Sequence, residues 1–354
     1  MGVLGYSYPR LVLVALLGTL VVTLAVAAGT SAASLGAYNS AWDGTSEIRT
    51  TAASADTATV LAQNVSAYEQ ATPNRTVAFV LSPTESYGDN ETAPIASFVQ
   101  AGGTLVVAED YGPHSNPLLG DVGATARVDG TPLRDEQRAG PSPAFPKATP
   151  GRNHSYTTDV DSLMLNHGSV VRPGDATVLV NSSSFSYLDT NGDETLDDTE
   201  TLTSRPIVTV EQVGQGTVVV ISDPSIFLNA MLERSDNAAF LQALVGPPET
   251  VLLDVSHTAA LPPLVAVRLW LQDVSVPTFA IGTLSVLAVV VLLSGRATLR
   301  PLERWRAESV EPPGLSSDEI ANSIRKQHPD WDEERVGRVT DSLIQHRQQG
   351  QGDD

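Results

Sequence analysis

Two long runs without polar relief frame the chain. LVLVALLGTLVVTLAVAAG, residues 11–29, carries no charge, and neither does VPTFAIGTLSVLAVVVLLSG, residues 276–295. As a helix, each is long enough to cross about 30 Å of hydrocarbon. Arg296, Arg300, Arg304 and Arg306 follow the second run, with Glu303 among them. Basic flanks stay cytoplasmic, so the C-terminal end is expected inside, and Arg10 gives the same signal more weakly at the other end. The pattern predicts residues 1–10 as a cytoplasmic N-terminus and 11–29 as a transmembrane helix or signal anchor. Residues 30–275 then form an extracellular α/β domain, 276–295 a second transmembrane helix and 296–354 a cytoplasmic helical tail. AVAAGTSAAS, residues 25–34, offers small residues for cleavage. The first run is long for a cleaved leader and reads as a retained anchor.

Between the two runs the apolar stretches become short. TVAFVLSP (76–83) is an apolar run closed by a turn signal, which predicts a buried strand. TAPIASFVQAGG (92–103) places Ile95, Phe98 and Val99 on one helical face and stops at Gly102 and Gly103. TLVVAED (104–110) is a second buried strand, so the three form a βαβ unit with parallel pairing. ATVLVNSS (176–184 with its flanking Ser) reads as a further strand. PIVTVEQVGQGTVVVISDPS (206–225) reads as two strands in a hairpin around residues 214–216. SDNAAFLQALVG (235–246) is a helix capped by Ser235 or Asp236 and stopped by Gly246. The expectation is an α/β domain with a mostly parallel central sheet, an antiparallel edge, and residues 124–175 as an insertion over one face. In the tail, Ser316 and Glu319 form a capping box. A second helix is expected from near Asp330, with Trp331, Val336, Val339 and Leu343 as its apolar positions.

Charge narrows the partners. The formal net charge is −20, and Lys147 and Lys326 are the only lysines. Such a surface repels phosphate, so no nucleic acid is expected as a partner. An acidic, lysine-poor chain is also what proteins in molar salt tend to show, which points to a halophile; an ordinary acidic extracellular domain is the alternative. Cys is absent, which removes disulfides, thiolate metal sites and a Cys nucleophile. Acceptor sequons at Asn64, Asn74, Asn90, Asn153 and Asn181 all fall in the expected exterior.

Candidate chemistry gathers at expected strand ends, where open α/β sheets bind ligands. SPTE (82–85), EDYGPHSN (109–116) and SDPS (222–225) would bring Glu109, Asp110, His114 and Asp223 around one ligand-binding cleft. Two carboxylates and a His suit acid–base work or cation holding. The competing reading is that strand ends are loops, and loops here are acidic. Asp223 before Pro224 and Ser225 is also a good cap. His257 reads as either structural or functional. DTNGDETLDDTE (189–200) has the ligand spacing of a calcium loop. Asp189, Asn191, Asp193, Thr195 by its backbone carbonyl, Asp197 and Glu200 occupy positions 1, 3, 5, 7, 9 and 12. Glu194 stands at position six, where Gly normally permits φ > 0, and Pro206 allows little exiting helix. A structural Ca2+ and a merely acidic surface loop are the two alternatives.

Several longer pieces are more specific than any motif. YNSAWDGTSEIR, FVQAGGTLVVAEDYGPHSNPLLGDVGATARVDG, LRDEQ, LNHGSVV and VGQGTVVVISDPSIFLNAMLERSDNAAF lie within residues 38–258. They resemble haloarchaeal membrane proteins with a domain of unknown function, family 4350. The resemblance implies a flavodoxin-like or class I glutamine amidotransferase-like sandwich, similar also to the extracytoplasmic subunit of gliding-type transport systems. Active amidotransferases use a Cys nucleophile, so the resemblance carries no such chemistry to a chain without Cys. Family members are encoded near MoxR-type AAA ATPases, which implies such a system, or another cytoplasmic protein reached through the tail, as partner.

The expected function is a membrane-anchored extracellular module that binds an unidentified ligand or protein, is not an enzyme, and serves a membrane assembly. The alternatives are a cation-dependent hydrolase acting on cell-envelope substrates and a calcium-stabilised adhesion or S-layer-associated protein.

Overall fold

The computed structural model describes residues 8–29, 33–258, 262–267 and 316–349, in two compact units, residues 1–271 and 272–354. The expected second span, residues 276–295, and its basic flank lie outside the described residues. α1 (Tyr8–Gly29) makes the first apolar run helical. Its side chains are described at residues 12, 13 and 15–24, and all of these are exposed. Over the described side chains, no helix is long and apolar enough to cross a membrane.

The α/β domain begins with α2 (Ser46–Ser54), β1 (Ala58–Ala62) and α3 (Ser66–Gln70). β2 (Thr76–Leu81), α4 (Asp89–Gln100), β3 (Thr104–Ala108) and α5 (Ser115–Val122) follow. Short strands come next: β4 (Arg127–Val128), β5 (Leu133–Asp135), β6 (Lys147–Pro150), β7 (Leu163–Met164) and β8 (Val171–Arg172). β9 (Thr177–Ser182), β10 (Ser186–Leu188), β11 (Pro206–Val213) and β12 (Gly216–Ile221) precede α6 (Asn229–Leu232), α7 (Asn237–Val245) and β13 (Thr250–Asp254).

One large sheet has the order β1-β13-β2-β3-β12-β11-β9-β6-β7. From β1 to β12 the pairings are parallel, and from β12 to β7 they are antiparallel. The antiparallel part is therefore wider than an edge. Residues 124–175, expected only to lie over one face, also supply β6 and β7 and so build the far end of the sheet. β4 pairs with β8 and β5 with β10 in two small ribbons.

After their opening residues, Thr76, Thr104 and the pair Gly216–Thr217, the central strands β2, β3 and β12 are apolar throughout because both faces are covered. Along β2, Val77, Phe79 and Leu81 join the cluster under α2 and α7, while Ala78 and Val80 join the one under α3, α4 and α5. β3 and β12 alternate likewise. Phe79 meets Phe227 edge-on at 5.6 Å, and Ile95, Phe98 and Val99 are the buried face of α4, as their spacing predicts.

α7 departs from its expected cap. Asp236 stands at the N-cap position, but its carboxylate accepts the N–H groups of Asp161 and Ser162 instead, tying the insertion to the helix. In the second unit, α8 (Ser317–Gln327) has the expected reciprocal capping box of Ser316 and Glu319. α9 (Glu333–Gln349) begins later than Asp330, because Asp332 Oδ1 accepts the Arg335 N–H at 2.7 Å. Its covered positions are Val336 and Thr340, with Val339 and Ile344 partly covered, and Leu343 is exposed.

The β11–β12 hairpin turns at Gly214, whose φ is +62°, and pairs Val213 with Gly216. Gly216 has no room for a side chain, since a Cβ there would overlap the carbonyl oxygens of Val99 and Gly103. Gly216→Ala is expected to lower stability by about 1–3 kcal/mol as the hairpin is pushed off the end of α4. An unchanged urea midpoint would show that this close approach does not exist.

Candidate functional site

β3 and β12 are adjacent and parallel, yet the chain leaves them on opposite sides. After β3 it enters α5, packed on one face, and after β12 it enters a 3-10 turn (Pro224–Phe227) and then α7 on the other. Such a divergence at carboxyl ends is where open α/β sheets form crevices. The structure places Glu109, Asp110 and Asp223 at this edge.

Glu109 is fully buried. Its Oε1 accepts the Ser82 hydroxyl at 3.2 Å and the N–H groups of Asp110 and Gly112, each at 3.1 Å, and its Oε2 accepts the Ser115 hydroxyl at 3.1 Å. Burial pushes its pKa up, and the Gly112 N–H and Ser115 hydroxyl oppose that rise. Asp110 turns back on its own loop and accepts the Tyr111 N–H at 2.7 Å. Asp223, also fully buried, accepts the Ser225 N–H at 2.7 Å and the Asn166 N–H at 2.6 Å. His114 is not brought into this group by a hydrogen bond; its Nδ1 lies 3.0 Å from the Ser86 hydroxyl.

The insertion reaches across the same edge. Ser169 N–H donates to the Ser222 carbonyl at 2.8 Å, and the Tyr111 hydroxyl donates to the His167 carbonyl. Gly168 packs so closely that a Cβ would lie 2.8 Å from that of Asp223. Residues 166–169 therefore lie where the sequence reading placed an open cleft.

His257 belongs to a second polar group, at the end of β13. Its Nδ1 is 2.8 Å from Ser256 Oγ, its Nε2 is 3.3 Å from Glu91 Oε2, and its ring is 4.0 Å from that of Tyr87. Ser256 and Tyr68 hydroxyls both donate to Asp254, at 2.6 and 2.7 Å. Burial first, then the Asp254 carboxylate, pushes the Tyr68 pKa well up.

In the acidic loop, Asp189 points inward, and its carboxylate accepts Arg134 Nε at 2.7 Å and the N–H groups of Gly192 and Glu194. Asn191 Nδ2 donates to both Asp193 and Asp197 at 3.0 Å. Thr195 donates its N–H and hydroxyl to Asp193, and Glu200 accepts the Thr190 N–H at 2.8 Å. Glu194 adopts φ +70°, the left-handed turn that position six demands. Its carboxylate lies 3.1 Å from Arg134 Nη2. Among the described residues no group of three or more His, Asp or Glu side chains is arranged to hold a metal ion. The oxygen donors are of the right kind for a hard cation, but Arg134 already faces the innermost carboxylate, Asp189.

One feature escaped the sequence reading. Trp42 is 70% exposed, on a turn fixed by Asn39 Oδ1, which accepts the Ala41 N–H at 2.8 Å, and by its own carbonyl, which accepts the Ala230 N–H at 3.1 Å. It lines an apolar cavity of about 430 Å³ with Phe145, Met164, Leu228 and Met231. It also lines a larger, polar groove with Glu47 and Glu233. The only available signal was a Trp set in the polar stretch NSAWDG, with no apolar partner at strand or helix spacing.

Residues 37–254 thus form a three-layer α/β domain with an open, mixed sheet. Residues 37–245 match the domain of unknown function DUF4350, more than half of the chain, and the protein belongs to that family. No curated protein sequence matches it. Among solved structures it is similar to the mmIFT52 N-terminal domain, at TM-score 0.40 and 15% identity over 50% of this chain and 80% of that one. It is also similar to the cytoplasmic protein STM1381 from Salmonella typhimurium LT2, at TM-score 0.38 and 14% identity over 57% and 86%. For a β-galactosidase from Bacillus circulans sp. alkalophilus the values are 0.32 and 13%, over 49% of this chain and 22% of that one. At these scores the likenesses say nothing about chemistry.

Burial pushes the Asp223 carboxyl up to about 7, with the Asp110 carboxylate adding to the rise and the Asn166 and Ser225 N–H groups opposing it. The folded-state value lies above the unfolded one, near 3.9. Between about pH 4 and about pH 7 the folded protein therefore keeps a proton that the unfolded chain has lost. The stabilisation from that proton is complete below about pH 4 and is lost as pH rises through about 7. The urea midpoint of the wild type is expected to fall over that window relative to Asp223→Asn. The Asn variant is expected to be less stable at low pH by about 1–3 kcal/mol, since its amide N–H must face a backbone N–H. Parallel pH profiles would show that position 223 holds no buried proton.

Proposed function

We propose that this protein is a membrane-anchored module whose α/β domain faces outward, binds a ligand or protein partner without catalysis, and serves as a subunit of a membrane assembly. The observation that carries the reading is the engagement of the strand-end acids. Glu109 is surrounded by four donors and Asp223 by two backbone N–H groups, with residues 166–169 laid across them. Carboxylates so occupied hold loops in place and are closed to substrate. The absence of Cys also removes the amidotransferase nucleophile that a flavodoxin-like or amidotransferase-like sandwich would otherwise call for.

Anchoring draws its support from α1 and from the sequence. α1 contains the uncharged run 11–29, and it is this sequence run, about 20 residues of apolar chain, on which the anchoring reading rests. Leu13, Leu16, Leu17, Leu20 and Val21 are all exposed, which suits lipid and not water. The hydroxyls of Thr19 and Thr23 donate to the carbonyls of Ala15 and Thr19, so neither is left open in hydrocarbon. The uncharged residues 276–295 and the arginines after them would supply the second span and the inside-facing tail. In that tail, Trp331 is stacked with His328 at 4.2 Å and with the Arg335 guanidinium at 4.7 Å, a compact surface for a cytoplasmic component such as a MoxR-type ATPase or its partner.

Full-length protein is expected to turn over none of a panel of glycoside and peptide substrates, with or without divalent cations. After crosslinking in native salt, a C-terminal tag is expected to capture a cytoplasmic component that is lost when the chain is cut after Arg306. Turnover abolished by Glu109→Gln or Asp110→Asn would sink the non-catalytic reading. A capture unchanged by the cut would remove the tail from the assembly.

A calcium-stabilised variant of this reading is favoured by one observation, the φ of +70° at Glu194, which supplies the turn that the sequence makes costly. Calcium would then pin residues 189–200 ahead of β11. The melting temperature in high salt is expected to rise with calcium over chelator and to lose that response in Asp193→Asn with Asp197→Asn. Equal melting temperatures in the wild type would leave an acidic surface loop.

A further inference from the structure

We propose that the cavity beside Trp42 binds an amphipathic anion, an apolar chain or ring carrying a single carboxylate. This rests on the reading of the domain as a binding module and names the class of its ligand. The cavity, about 430 Å³, falls within the roughly 300–1,000 Å³ of small-molecule sites. Its walls are Phe145, Met164, Leu228 and Met231, and the two thioethers can adapt to a chain or a ring.

Charge selects the head group. No Asp or Glu lines the cavity, in a chain where acids outnumber Lys and Arg by 41 to 21. Its polar lining is Asn166 and Arg234. Among the described residues the Arg234 guanidinium has no ion pair or hydrogen bond, and neither has the Asn166 side-chain amide. A guanidinium and an amide, both with free donors beside an apolar wall, match a carboxylate. The groove across Trp42 has the opposite character, since Glu47 and Glu233 line it and would repel an anion.

The lining is also built. Asn166 is held from behind by the Asp223 carboxylate, which accepts its N–H at 2.6 Å. The Trp42 turn is fixed to residues 229 and 230 by the Gly44 and Trp42 carbonyls, which accept their N–H groups at 2.8 and 3.1 Å. The Asn229 side chain adds bonds to the Asn39 and Ala41 carbonyls at 3.1 and 2.7 Å. A rigidly presented indole that is 70% exposed offers apolar area that a ligand would cover without ordering the chain further.

The test uses full-length protein in nanodiscs of zwitterionic lipid, so that no amphipathic anion competes for the probe, and saturation-transfer NMR with 4-phenylbutyrate. The neutral 4-phenylbutan-1-ol and the cationic 4-phenylbutylamine are comparators of the same shape. 4-Phenylbutyrate is expected to bind the wild type, and the comparators at least about tenfold more weakly. Arg234→Gln, a surface change, is expected to weaken 4-phenylbutyrate about tenfold or more, to the level of the alcohol. Met231→Trp, which fills the cavity, is expected to remove binding of all three. No binding of 4-phenylbutyrate, equal binding of the three probes, or binding indifferent to Arg234→Gln would each overturn the proposal. Those outcomes leave the module reading standing, whereas turnover dependent on Glu109 would overturn that reading whatever the cavity binds.

Discussion

A carboxylate taken out of water must be surrounded by donors or keep its proton, and Glu109 is the buried carboxylate around which the strand-end loops are arranged. Its four donors come from the end of β2, from the loop after β3 and from the first residue of α5. The constraint reaches into the backbone. Gly112 packs against the same group, and a Cβ there, 2.9 Å from Glu109 Oε1, would require the carboxylate to shift. Ser82 takes φ +42° to aim its hydroxyl, a conformation that L residues rarely hold without compensation. Glu109 thus ties the start of α5 and the loop after β3 to the end of β2, which the ladder already pairs with β3, and the course of the chain into the insertion follows from where α5 starts.

Asp223 does the same on the neighbouring strand. It caps the turn after β12 and fixes the backbone of Asn166. The two acids divide the work: one orders the crossovers on the face of α4 and α5, the other joins the insertion to the face of α7. The cavity beside Trp42 inherits its shape from the second, since Asn166, Leu228 and Met231 all lie on segments that Asp223 or the turn after it positions.

The parts of this fold legible in the sequence were those whose signals are local. Residues 77–81 and 105–108 are apolar because both faces are covered, and Gly102 and Gly103 end the helix between them. The hairpin at Gly214 announced itself by its glycines, and the capping box at Ser316 by its spacing. β6 and β7 were not legible, because strands of four and two residues carry no periodicity; β6 owes its place to β9, and β7 owes its place to β6. Arg134 faces Asp189 across 55 positions of sequence, so the innermost acid of the loop could be recognised but not its partner. The acids at 109 and 223 were found as a pair at neighbouring strand ends; that each is consumed by backbone and hydroxyl donors is a property of loop conformation. Trp42 and its cavity were invisible for the same reason, being assembled from separate segments around residues 42, 145, 164 and 230.

The sheet order has a consequence for synthesis. β13, the last strand of the domain, lies between β1 and β2, the first two. Neither can complete its ladder on that side until the chain has been made through Asp254. As residues 58–81 emerge, they hold open a slot for a strand still some 170 residues away, with apolar side chains on both of its flanks. Closure of the parallel core is therefore a late, long-range event. Until then the facing edges of β1 and β2 stay unpaired, which is the kind of edge that accepts a wrong strand.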